Sequence, residues 1–231
     1  MPRPAPVPKE TKPDLSAAAL AKETKVEGDK WSKIPSQEEI DAAIRAMQAR
    51  GFKVVYCEKR KEVAEEIKKL IPWGSEVMSG SSTTLNELGF TDWLENGNLG
   101  WKNVKKQINE EKNSAVRDEL RRKSVTSEYF VSSVNAIAQT GELVAADASG
   151  SRAGAFHFAA KNLIIVAGAN KIVPTLEDAL KRLREYAFPL EDVRAKKVYG
   201  MGSGVNKIVI LAREMQPGRV TVVLVKDKLG Y

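Results

Sequence analysis

Five hydroxyl residues and one glycine crowd into Ser79–Thr84 of VMSGSSTTLNELG (Val77–Gly89), between a short apolar run and a helical pattern. Free N–H groups at a helix start, joined by the hydroxyls of Ser81, Ser82, Thr83 and Thr84, suit a phosphate or carboxylate, because the helix dipole puts partial positive charge there. Gly80 is expected to let the backbone turn tightly just before them. On this segment alone a plain helix cap is the simpler reading. A second polar run, NAIAQTGELVAADASGSRAG, spans Asn135 to Gly154 after another apolar stretch. Asp147 stands there among small residues and suits either a general base or a turn residue bonding its own backbone toward Ser149. Arg152 offers a planar fork for a carboxylate or phosphate, and Asn135 and Thr140 add polar groups to the run. A third run, Gly168-Ala169-Asn170-Lys171, brings an amide and an ammonium to the end of an apolar strand. Lys171 reads as a point charge for an anion or as the partner of a helix carboxylate.

Other residues carry less chemistry. His157, the single histidine, lies between Phe156 and Phe158 with no serine or cysteine motif beside it, and reads as structural. Gly200, Gly202 and Gly204 lack the full dinucleotide fingerprint and precede a strand, where that fingerprint needs a helix, so they read as a flexible loop. Cys57 has no second cysteine to pair with. No metal site and no cofactor are expected, and a reducing, cytoplasmic location is the default.

The elements that must position these groups follow from periodicity. Ser36-x-x-Glu39 is a capping box before Ile40, Ala43, Ile44 and Met47 at helical spacing, and Gly51 closes that helix. Phe52 to Cys57 reads as a strand, Val63 to Leu70 as a helix stopped by Pro72, and Glu76 to Ser79 as a second strand. Thr84 to Leu94 is then helical, Asn96 to Asn98 a turn, Lys102 to about Lys123 one charged helix, and Tyr129 to Val134 a strand. Leu143 to Ala146 and Leu163 to Ala167 are further strands, the latter of the kind buried on both faces. Thr175 caps an amphipathic helix expected to end at Pro189. Lys207 to Leu211 and Val220 to Val225, joined by Gln216-Pro217-Gly218, read as a hairpin. The fold expected is α/β: an open, mostly parallel sheet flanked by helices, with a C-terminal β-hairpin. Such a sheet binds its ligand where loops leave the carboxyl ends of the strands, so the three polar runs are expected to share one rim.

At 231 residues the chain suits one large α/β domain, 35–231, preceded by an arm over 1–34 in which Pro2, Pro4, Pro6 and Pro8 alternate. That stretch is expected to be disordered, because it has few apolar groups to offset its ordering entropy. It has neither the apolar core of a secretory signal nor the acid-poor composition of a transit peptide. No apolar run is long enough to cross a membrane. The net charge of +7 raises nucleic acid as a partner. The basic residues are interleaved with carboxylates, however, and the densest segment, Trp101 to Lys123, reads as a solvated helix face without stacking aromatics.

SGSSTTLNELGF, NAIAQTGELVAADASGSRAG, LIIVAGANKIVP and VTVVLVKDKLGY, in that order, resemble the LUD (lactate-utilisation) domain family over about Ser36 to Tyr231. The resemblance implies a fold like that of the glucosamine-phosphate isomerase, ribose-phosphate isomerase and CoA-transferase superfamily. It also implies kinship with proteins serving bacterial lactate oxidation beside iron–sulfur partners. Two positions depart from the family pattern. The cysteine-rich segment of many bacterial members is replaced by KKVYGMGSGVNKIVI at Lys196–Ile210, and Ser151 stands where those relatives carry asparagine. By analogy of fold alone, Glu142 is compared with the catalytic glutamate of CoA transferases, against a hairpin-tip carboxylate. Two functions are thus expected side by side. One is binding of a small anionic metabolite (an organic acid, a sugar phosphate or a CoA-type ligand) by the residues named above. The other is a non-catalytic accessory or scaffold role among redox-pathway proteins. A homo-oligomer is compatible with either, and whether a reaction is catalysed stays open.

Overall fold

The computed structural model describes residues 13–97 and 99–231. Two short helices, α1 (Ala17–Glu23) and α2 (Gly28–Trp31), lead into α3 (Gln37–Ala49), where Ser36 and Glu39 form the expected reciprocal capping box. The chain continues through β1 (Lys53–Cys57), α4 (Arg60–Leu70), β2 (Glu76–Ser79), α5 (Thr83–Glu87), α6 (Phe90–Asn96), β3 (Lys102–Asn103), α7 (Val104–Glu110) and α8 (Ser114–Lys123). β4 (Tyr129–Ser132), β5 (Ala136–Ala138), β6 (Leu143–Asp147), α9 (Ser151–Gly154) and β7 (Asn162–Gly168) follow. Then come β8 (Ile172–Val173), α10 (Leu176–Arg182), α11 (Phe188–Tyr199), β9 (Lys207–Leu211) and β10 (Val220–Val225).

Six strands form one parallel sheet in the order β1-β10-β7-β4-β2-β3, and four form a mixed sheet, β8-β5-β6-β9. The parallel sheet is apolar on both faces, as its uniform β-branched runs require. Leu163, Ile165, Val222 and Leu224 point to a core shared with α3 and the small sheet, while Ile164, Val166, Val223 and Val225 meet α4, α5 and α6. The outer face of the small sheet carries α1, α10 and α11 through Val144, Ala179, Leu183 and Leu190. No helix among the described residues is long and apolar enough to cross a membrane. Cys57 is buried at the end of β1, and burial pushes its thiol up to about 11, so it stays a protonated, inert thiol.

Several expectations are corrected. The arm was expected to run through residue 34. Its first twelve residues lie outside the described ones, but from Pro13 onward the chain folds, with Leu20 and Trp31 buried in the outer core. A handful of apolar residues suffices because α10 and α11 already offer a waiting surface. The expected C-terminal hairpin does not form. Gln216–Gly218 does turn the chain, yet β9 joins β6 in the small sheet and β10 sits centrally between β1 and β7. β10 is buried at every residue whereas β9 alternates, so the two need different surroundings. Pro189 does not end the amphipathic helix. Residues 183–187 form a π turn in which the Phe188 N–H reaches Leu183 O, five residues back, and the chain stays helical to Tyr199. Gly89, at φ 75°, divides the helix expected over 84–94. Asn103 and Asn113 cap α7 and α8 and so split the charged helix in two. Gly97 ends α6, and Asn98 of the expected turn lies outside the described residues.

Candidate functional site

Loops leaving β2, β4, β6 and β7 meet the α10–α11 turn around a cavity of about 90 Å³. At roughly 10–15 Å³ for each water-sized group, it holds about six to nine of them. Ser81 to Thr84, Asn135, Asp147, Arg152 and Lys171 all line it, so the three polar runs do share a rim.

The hydroxyl loop divides its labour. Ser82 caps α5, its Oγ accepting from the Leu85 N–H at 3.3 Å. Thr83 lies beside it with its Oγ1 buried and without a partner among the described residues. A buried hydroxyl left unpaired costs about 1–3 kcal/mol, and this one borders the cavity. Gly80 does not occupy the left-handed region. Its smallness serves a close approach instead, since a Cβ there would lie 3.1 Å from Ser132 Oγ.

Three cations converge from different elements. Lys171, 1% exposed, donates to Thr84 Oγ1 (2.9 Å), Ser133 Oγ (3.0 Å) and Val134 O (2.9 Å), none of them a carboxylate. Burial, then the Arg182 and Arg152 charges, hold its amine well below the ordinary lysine range, with Glu87 opposing. Arg182, fully buried behind the cavity, donates only to carbonyls: Trp31 O at 2.8 Å, Asn170 O at 3.4 Å, and Asn135 O. Arg152 donates to Ala146 O and lies 6.0 Å from the centroid of the Phe156 ring; burial lowers its pKa while Asp147 and Glu191 raise it.

The nearby carboxylates are already occupied. Asp147 Oδ2 accepts from the backbone N–H groups of Arg152 (2.8 Å) and Ala153 (3.2 Å), which makes it the cap of α9 rather than a turn toward Ser149. Glu191 receives both ends of the Arg194 guanidinium at 2.7 Å and the Tyr231 hydroxyl at 2.6 Å. That pairing raises the Arg194 pKa, and burial first, then Glu191, raises that of Tyr231. A pocket whose cations meet carbonyls and hydroxyls while its carboxylates are bound elsewhere favours an anion.

Other expected residues fall away from the cavity. Asn170 is a buried strut: its Oδ1 accepts from Leu229 N at 3.1 Å, and its Nδ2 donates to Ser32 Oγ and Gly230 O. Asn135 lines the cavity but spends its Oδ1 on Ala146 N at 2.8 Å. Thr140 and Glu142 sit at the β5–β6 tip, where Arg50 of the α3 end pairs with Glu142 and with Thr140 O. Glu142 is thus the hairpin-tip carboxylate. His157 is exposed, its Nδ1 3.0 Å from Ala153 O. Among the described residues no group of acidic, histidine and cysteine side chains is placed to hold a metal.

Sequence reasoning missed Arg182 behind the cavity, and Glu191, Ser133, Tyr231 and 203–205 in its wall. None of these carried a clear signal: at 3.6 residues per turn Arg182 falls outside the stripe of Ala179, Leu183 and Ala187, and Glu191 lies beyond the helix end expected at Pro189. The glycine run was read as a flexible loop; Gly200 ends α11 at φ 70°, and the Ser203 N–H bonds Asp192 Oδ1 at 2.9 Å.

A protein-family model described as LUD domain matches residues 40–225. No curated protein matches the sequence. Among solved structures, a DUF162 family protein from Deinococcus radiodurans is similar at TM-score 0.50 and 13% identity, over 83% of this chain and 99% of that one. Lesser likenesses are to eIF2B beta (TM-score 0.33, 13% identity, 52% of this chain and 44% of that one) and eIF2B delta (0.31, 15%, 62% and 55%), both from Chaetomium thermophilum.

Proposed function

The chain belongs to the LUD-domain family, and from that premise we propose that its cavity binds a small anionic metabolite, in support of lactate or related organic-acid oxidation. The observation that carries this reading is that Arg152 and Lys171 line one cavity, with Arg182 buried behind it, and that all three side chains donate only to carbonyls and hydroxyls. An anion entering there meets positive charge already stripped of water, so little reorganisation opposes binding. The volume suits a carboxylate of about three carbons, with roughly six non-hydrogen atoms, better than a bulky ligand. Lys171, Arg152 and the Thr83 hydroxyl would contact it, while Ser82, Asp147 and Asn135 hold the walls.

Thermal shift and calorimetry with lactate, pyruvate, inorganic phosphate, sugar phosphates and coenzyme A, each against a chloride control, test this reading. At least one anion is expected to raise the melting temperature of the wild type and to lose that effect in Arg152→Met and Lys171→Met. If no anion stabilises the wild type beyond chloride, the reading is wrong.

A further inference from the structure

The cavity opens sideways into a second, larger space. A groove of about 600 Å³ runs beneath α7 and α8 and shares Ser81, Asp147, Ala148 and Arg152 with the cavity. Its cationic side chains besides Arg152 are Lys105, Arg117 and Arg121. On α8 the charges are sorted: Arg122 and Lys123 both pair with Glu119, whereas Arg117 and Arg121, one turn apart on the groove side, form no ion pair among the described residues. Lys105 is half-buried, and burial lowers its pKa. Ser79, at the end of β2, lines the groove with its Oγ buried (1% exposed) and without a partner among the described residues. A solvated helix face would not carry its unpaired arginines toward a concave wall holding an unsatisfied buried hydroxyl.

We infer that this groove binds the phosphate of a substrate whose small anionic head occupies the cavity, so that the natural ligand is a phosphorylated organic acid. The inference rests on the cavity reading above and extends it. Arg117 and Arg121 supply exposed guanidinium forks for a phosphate, Ser81 and Arg152 stand where the two spaces join, and Ser79 lies beneath. Arg152 then belongs to both halves of the site.

Matched acids with and without a terminal phosphate test it: glycerate against 3-phosphoglycerate, and gluconate against 6-phosphogluconate. They are titrated into the full chain and into Arg117→Ala/Arg121→Ala, whose exposed side chains can be removed without opening the core. In the wild type, the phosphorylated acid of at least one pair is expected to bind tenfold or more tightly than its parent. In the double variant that ratio should fall below about twofold, with the parent acid bound as before. Parent acids that bind while phosphate adds nothing at either length overturn the groove and leave the cavity reading standing. A phosphate advantage that survives the double variant also overturns it. Binding of none of the four acids overturns the groove, and the response to lactate, pyruvate and phosphate alone then decides the cavity reading.

Discussion

Thr83 and Lys171 border one cavity in different states, the first with no hydrogen-bond partner among the described residues and the second with three. Ser82→Ala removes the α5 cap and is expected to cost about 1 kcal/mol of stability while sparing ligand binding. Thr83→Val removes a hydroxyl with no hydrogen-bond partner in standard geometry among the described residues. Its unliganded melting temperature should hold or rise, while the melting shift given by a bound anion shrinks. The opposite result, a loss of stability with ligand response intact, would make Thr83 structural. Lys171 adds a pH signature. Its depressed pKa means that the unfolded chain binds more protons, so stability rises with pH from the folded value up to the ordinary lysine range, about 10.4. A bound anion favours the ammonium, so binding takes up a proton and weakens as pH rises. Calorimetry in buffers of different ionisation enthalpy should detect that uptake, and Lys171→Met should abolish it; equal enthalpies in every buffer would mean that Lys171 holds its proton before the anion arrives. The sequence disclosed both residues but not their conditions, since an unpaired hydroxyl and a buried ammonium look the same as any Thr and Lys before the neighbours are known.

At the scale of elements, local signals were legible where the determinant was local. The capping box at Ser36, the buried run of β7 and the Thr175 cap all formed as expected. Helix breaks were harder, because asparagine caps and a left-handed glycine interrupt patterns whose polar periodicity continues across them. The β5–β6 tip shows what an element decides for its residues. Gly141, at φ 98°, turns the hairpin so closely onto α3 that a Cβ would lie 2.7 Å from the carbonyl carbon of Ala46. This docking pairs Arg50 with Glu142 and takes Thr140 and Glu142 out of the cavity. Gly141→Ala therefore carries a left-handed backbone penalty of about 1–2 kcal/mol and a backbone clash besides. Chemical denaturation should show a clear drop in midpoint. An unchanged midpoint would mean that the tip is not held against α3, and would return Glu142 to the list of site candidates.

The whole molecule sets what no single element could: which strands share a sheet, and what covers the outer core. A turn signal at Gln216–Gly218 gives chain reversal, but only the supply of apolar faces sends β10 to the interior of one sheet, between β1 and β7, and β9 to the edge of the other. The same supply decides the fate of the residues from Pro13 on. Composition counted their apolar groups and found too few for an independent unit, yet Leu20 and Trp31 complete a core already built by Val144, Leu183 and Leu190. This segment also reaches the site, because Trp31 O takes the Nε–H of Arg182 and Ser32 Oγ takes the Nδ2–H of Asn170. Trp31→Ala separates a free arm from a packed segment. A free arm would leave the melting temperature unmoved. Loss of a buried tryptophan costs about 3–5 kcal/mol, which for a chain of this size lowers the melting temperature by about 6–20 °C. Because the carbonyl that receives Arg182 shifts when its own side chain no longer anchors α2, the anion response should weaken along with stability. Trp31→Phe, which keeps most of the apolar contact, should recover much of both, and a melting curve identical to wild type in the alanine variant would restore the arm.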